Sequence, residues 1–152
     1  MAEKDPPDNV VELRARALRL LARREHTHKE LESKLAPHAG SSAELQSLIS
    51  GLKQKNQFSE ERYAEERARK LSRKYGAARI RQDLKAKGVP AELIERFSSS
   101  SDELQKAKSI LERKYRGPAT TREEKAKRMR FLQGRGFSSD AIRSALDERE
   151  QG

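Results

Sequence analysis

Apolar residues recur at helical spacing along nearly the whole chain, and the middle stretch from Phe58 to Phe97 shows the pattern most clearly. Tyr63, Ala64, Ala68, Leu71 and Tyr75 form one narrow apolar stripe, which predicts a helix over 59–75. Ser59 is its N-cap, and Phe58 and Tyr63 stand at the two positions of a hydrophobic staple. Gly76 is expected to stop that helix. A second helix follows through Ala78, Ile80 and Leu84 and ends at Gly88, a residue suited to the left-handed turn after a helix. Pro90 opens a short third helix with Leu93, Ile94 and Phe97 inward. No strand fits between them.

The flanking segments repeat this grammar. Residues 1–8, with Pro6 and Pro7, read as a disordered tail. A helix from Asn9 to Arg24 turns Val10, Leu13, Ala17, Leu20 and Leu21 inward, and Thr27 with Glu30 forms a capping box for a short helix carrying Leu31 and Leu35. Pro37 to Gly40 breaks it, and Ser41 with Glu44 opens a helix holding Leu45, Leu48, Ile49 and Leu52. Ser100 with Glu103 has the same spacing before Leu104, Ala107, Ile110, Leu111 and Tyr115. Thr121 with Glu124 opens a helix over Met129, Phe131 and Leu132, and Phe137 and Ser138 begin the last, with Ile142, Ala145 and Leu146.

Internal likeness turns this series into repeats. The run from Leu84 through Gly88 to Ile94 superposes on Leu132 through Gly136 to Ile142 at a constant offset, and Arg113-Lys-Tyr115 echoes Arg73-Lys-Tyr75. The fold class expected is all-α. Three tandem three-helix repeats, at 9–55, 58–98 and 100–148, would form an elongated array, straight or curved. Each unit is too lean to bury much alone, so neighbours must lend each other cover.

Composition bounds what such an array does. Of 152 residues 34% are hydrophobic and 38% charged, so no large central core is available. No apolar run approaches the roughly 20 residues needed to span a bilayer, and the first residues lack a signal-peptide core. With no cysteine, disulfides and thiolate chemistry are excluded. A soluble cytoplasmic protein is expected. The formal charge of +10 points to a polyanionic partner, and it is blocked rather than diffuse. Residues 62–88 hold ten Lys/Arg against three acids, and 106–135 hold eleven against three.

Part of that charge serves the helices themselves. In the 59–75 stretch the acids precede the bases, which complements the helix dipole. Glu65–Arg69, Glu66–Lys70 and Glu124–Arg128 are i,i+4 pairs contributing about 0.3–0.5 kcal/mol each. One base per acid leaves a surplus. In the middle unit Arg67, Arg73, Lys74, Arg79, Arg81, Lys85 and Lys87 are the candidate binding residues, supported by Arg113, Lys114, Arg116, Arg128 and Arg130. Such a stripe grips phosphates without reading bases.

Catalytic chemistry finds no footing. His26, His28 and His38 match no zinc spacing and are expected at the surface. Gly134-Arg-Gly136 lacks the third glycine of a dinucleotide loop and reads as a helix end. The tyrosines sit on apolar stripes and belong to the core before they stack on bases. No nucleophile–base set, metal site or cofactor site is expected.

Three segments resemble the RecX family, bacterial regulators of the recombinase RecA: Leu52-Lys-Gln-Lys-Asn-Gln-Phe58-Ser-Glu-Glu-Arg62-Tyr63-Ala64, then Gly76-Ala-Ala-Arg79-Ile80-Arg81-Gln-Asp-Leu84-Lys-Ala-Lys87-Gly88-Val89, and Arg23-Arg24-Glu25-His-Thr27-His-Lys-Glu30-Leu31. The resemblance spans nearly the whole chain after the tail, with the third unit most divergent and the first departing at Pro37–Gly40. It implies tandem three-helix repeats and a non-enzymatic protein without cofactors. Its partner would be RecA and the RecA filament on single-stranded DNA, whose ATP hydrolysis and strand exchange it would suppress by blocking filament growth or promoting disassembly. The alternative from the residues alone is a general nucleic-acid-binding helical repeat protein without RecA specificity.

Overall fold

The computed structural model describes residues 6–99 and 102–151, with side chains as far as Asp147. Among the described residues there are nine α-helices and no strand: α1 (Val10–Arg23), α2 (His28–Leu35), α3 (Ser42–Gln54), α4 (Glu60–Leu71), α5 (Ala77–Ala86), α6 (Ala91–Phe97), α7 (Glu103–Lys114), α8 (Arg122–Gly134) and α9 (Ser139–Gln151). The fold is all-α. None of these described helices is long and apolar enough to cross a membrane. By packing, the chain divides into two compact units, Met1–Ala64 with Lys87–Val89, and Glu65–Ala86 with Pro90–Gly152.

In the first unit α1, α2 and α3 pack on one another over Leu13, Ala17, Leu31, Leu35, Leu45, Ile49, Leu52 and Phe58. Caps fix where these helices start. The Asn9 side chain accepts from the Glu12 amide, and Thr27 and Glu30 complete the expected capping box. Ser41 Oγ accepts from the Glu44 amide. Ala36–His38 closes one 3-10 turn, so the break expected at Pro37 comes after a tightened helix end. Ser59 caps α4 through the Arg62 amide, with Phe58 and Tyr63 both buried. Asp8, placed by its sequence in the tail, donates its amide to the His38 carbonyl and pairs with Arg16 at 2.8 Å. Residues 1–5 and Ser100, whose capping box with Glu103 the sequence suggests, lie outside the described residues.

Two expectations are corrected here. Val10 is 63% exposed, because the first turn of α1 precedes the core and Leu13 is its first buried residue. His26 is 1% exposed rather than on the surface. Its Nδ1 lies 2.9 Å from the Arg24 carbonyl and its Nε2 3.1 Å from Lys34 Nζ. Local backbone and a basic neighbour satisfy both ring nitrogens, so this histidine is a core residue.

In the second unit α7 and α8 pack against α9 over Ala107, Ile110, Leu111, Leu132, Phe137, Ile142, Ala145 and Leu146. Gly88, after α5, has φ 81, the left-handed conformation its position demands. The helix predicted over 59–75 stops instead at Leu71, and residues 72–74 continue as turns. The reason lies at Gly76, whose amide donates to the Arg135 carbonyl at 2.7 Å. A Cβ there would lie 2.6 Å from the Gly136 carbonyl oxygen. The chain must leave the helix early to bring that backbone so close.

Candidate polyanion-binding groove

The early end of α4 moves Arg73 and Lys74 off the helix and onto an exposed turn. Across from that turn is the last turn of α7, which carries Arg113 and Lys114 where cations complement the helix dipole. Arg113 Nη2 donates to the Arg73 carbonyl at 2.6 Å, which fixes the two segments side by side. Arg73, Lys74, Arg113, Lys114 and Arg135 rim an open hollow whose apolar lining is Ile110 and Phe131. Lys114 Nζ lies 4.2 Å from the centroid of the Phe131 ring, and the Arg135 guanidinium carbon lies 5.1 Å from the same centroid. Arg135 and Arg79 also sit 5.3 and 5.1 Å from the Tyr75 ring. Each such contact contributes about 0.5–1 kcal/mol at an exposed site, enough to orient a long side chain without neutralising it.

The structure therefore sorts the twelve residues named from sequence. It brings Arg73, Lys74, Arg113 and Lys114 into one hollow. Arg79 stands beside Tyr75 and donates to the Gly134 carbonyl at 3.3 Å. Arg81, Lys85, Arg116 and Arg130 are exposed outside the hollow's lining, and Lys87 is an exposed residue of the first unit. Two others have work inside the fold. Arg67 makes a forked pair with Asp83, both bonds 2.9 Å, joining α4 to α5. Arg128 is 6% exposed, donates to the Gly117 carbonyl at 2.9 Å and lies 4.6 Å from the Tyr115 centroid. It braces the α7–α8 connection and offers no face to a partner.

Sequence reasoning missed Arg135. It lies between two glycines that read only as a helix end, and it is the C-cap of α8. The one local signal was the left-handed Gly136 that follows, φ 88, which turns the chain sharply just after the arginine. Lys106, which the sequence pairs with Asp102 at i,i+4 spacing, was not among the candidate binding residues either. It lies half-buried on α7, and burial, opposed by Glu103 and Asp102, holds its amine below the usual lysine range. Among the described residues no group of His, Asp and Glu is placed to hold a metal ion.

By architecture this is an all-α protein of three-helix domains bearing a cationic groove. Family models make that specific: one for the second three-helix domain of RecX matches residues 59–96, and one for its third three-helix domain matches 101–146. The chain belongs to the RecX family. It is 40% identical over 136 residues to the regulatory protein RecX of Leptothrix cholodnii, covering 88% of this chain and 87% of that one. It is 40% identical over 135 residues to the regulatory protein RecX of Neisseria meningitidis, covering 88% of each. The crystal structure of RecX from Lactobacillus salivarius, 21% identical, shares the fold with a TM-score of 0.77 over 94% of this chain and 97% of that one. The relatives are regulators by name.

Proposed function

We propose that this protein binds RecA filaments on single-stranded DNA and inhibits RecA ATP hydrolysis and strand exchange, by blocking filament growth or promoting disassembly. The observation that carries the reading is family membership across 88% of the chain, joined to a groove rimmed by five cations. Arg73, Lys74, Arg113, Lys114 and Arg135 would make the main contact, with Arg79, Arg81, Lys85, Arg116 and Arg130 around it and Lys87 on the first unit. The three-repeat division at 9–55, 58–98 and 100–148 belongs to the same proposal, as does a cytoplasmic location beside the filament. The test is DNA-dependent ATP hydrolysis by RecA with this protein titrated in. Inhibition at or below stoichiometric amounts is expected, weakened at least about tenfold by the R73E/R113E/R135E triple variant, a loss that three phosphate-facing cations readily account for. Full ATPase at stoichiometric protein would discard the reading.

A second reading rests on the rings beside the cations. Phe131 beneath Lys114 and Arg135 combines an aromatic surface with positive charge, as single-strand binders do. A general nucleic-acid-binding protein would hold bare single strands as tightly as filaments. Binding measured side by side on bare strand, free RecA and filament separates the two.

A further inference from the structure

Next to the groove, the turn after α4 and the outer face of α7 enclose a second hollow, lined by Ser72, Arg73, Gln105, Lys106, Ser109 and Arg113. Lys106 is the one lysine in it, half-withdrawn from water while the arginines are exposed. Two carboxylates act on its amine, Glu103 and Asp102. Glu103 is committed elsewhere: it is 5% exposed and accepts from the Ala77 amide at 2.6 Å and the Ser138 amide at 3.4 Å. Asp102 is exposed to solvent. Burial makes the ammonium form costly, so more of this amine is the neutral nucleophile than at an ordinary surface lysine.

Arg73 and Arg113 give the same hollow a second property. Guanidinium groups match the oxygens of a phosphate through paired N–H donors. A small donor with a phosphate at one end and an electrophilic carbonyl at the other would meet cations and nucleophile together. We propose that Lys106 is an acylation site whose donor is an acyl phosphate, its phosphate seated by Arg73 and Arg113 and its carbonyl facing the lysine amine. The lone pair of the neutral amine attacks the carbonyl carbon, forming the C–N bond. The C–O bond to phosphate breaks, phosphate leaves with the electron pair, and the nitrogen loses its extra proton to water. Nothing is oxidised or reduced. The product is an uncharged amide in place of one cation. Lys106 lies outside the groove's own lining, so the modification stands independently of the filament-binding reading.

The experiment treats the full chain with acetyl phosphate and follows each lysine by peptide mass spectrometry. Acetylation of Lys106 is expected at least about tenfold faster than at the exposed Lys53 and Lys85, a ratio within reach of a desolvated, phosphate-guided amine. Inorganic phosphate should slow Lys106 and leave Lys53 unaffected, a comparison that needs no variant. An R73Q/R113Q variant, checked for helicity, should remove most of the preference of Lys106 over Lys85. N-acetylimidazole, a donor without phosphate, should lose most of the preference. Equal rates at Lys106 and Lys53, or the same preference with N-acetylimidazole, would overturn the site. RecA inhibition by the unmodified protein is scored separately, so its failure and the failure of acylation are told apart.

Discussion

His26 shows what burial does to one titratable group. Burial holds its imidazole below the ordinary value of 6.5, the Arg24 carbonyl pulls the other way, and the charges of Arg24 and Lys34 lower it further while Glu30 raises it. The unfolded chain therefore binds a proton that the folded ring refuses, and stability rises with pH through that range. The contribution is complete above pH 6.5 and is lost as pH falls toward the depressed folded value. Asp8 and Glu30, whose carboxyls are held below their ordinary values of 3.8 and 4.5, act only in a more acidic window. The denaturation midpoint should thus drop between pH 7 and 5, and His26→Gln should flatten that drop; equal slopes in both proteins would show that another group is responsible. Glycines give a second test at this scale, with opposite signs. Gly136 has φ 88, and a Cβ there would lie 2.6 Å from the Arg79 amide nitrogen, whereas a Cβ at Gly51 in α3 meets nothing within 4 Å. Gly136→Ala should cost at least about 1–3 kcal/mol, and Gly51→Ala should gain about 0.5–1 kcal/mol, both read by urea denaturation.

At the scale of elements, one carboxylate serves two helices. Glu103 sits in the first turn of α7, and its two oxygens take the Ala77 amide at the start of α5 and the Ser138 amide just before α9. Helix starts leave such donors unpaired, and here a distant acid supplies the acceptor. Glu103→Ala should cost about 1–3 kcal/mol, since it orphans the buried Ala77 amide, whereas the exposed Ser138 amide can turn to water. Glu103→Gln, keeping one acceptor oxygen, should cost clearly less. Equal losses in the two variants would mean that shape rather than hydrogen bonding matters there. This scale also shows how far the sequence could be read. The start signals Ser41, Ser59, Thr27 with Glu30, and Thr121 were legible because a cap acts within four residues of itself. The helix predicted to Tyr75 fell four residues short because the cause, the backbone of Arg135 and Gly136 against Gly76, lies about sixty positions away. The same distance hid the groove: Arg73, Lys74, Arg113 and Lys114 were legible as surplus charge, but not their meeting, nor the arginine that completes it.

For the molecule as a whole, the formal +10 divides into charge that builds and charge that is offered. Arg67 and Arg128 build. The five cations of the groove line its rim, Arg113 while also holding the Arg73 carbonyl, and as the proposed contacts they set a measurable quantity. If a single strand neutralises all five, the logarithm of its binding constant should fall against the logarithm of salt concentration with a slope of about −3.5, taking roughly 0.7 per contact. The R73E/R113E/R135E variant should flatten that slope, whereas Arg128→Ala should lower stability and leave the slope unchanged. An unchanged slope in the triple variant would place the contact on other cations.

Gly76 and Ala78 reach Arg135 and Gly136 through peptide amides and carbonyls alone. A seam made of main-chain atoms is indifferent to the sign of whatever side chains surround it. Exposed cations such as Lys85 could thus be rewritten as acids, with Arg16, Arg67, Arg79, Arg113 and Arg128 kept because they brace the fold, and the recoded chain would still close that seam, a folded decoy with an altered field.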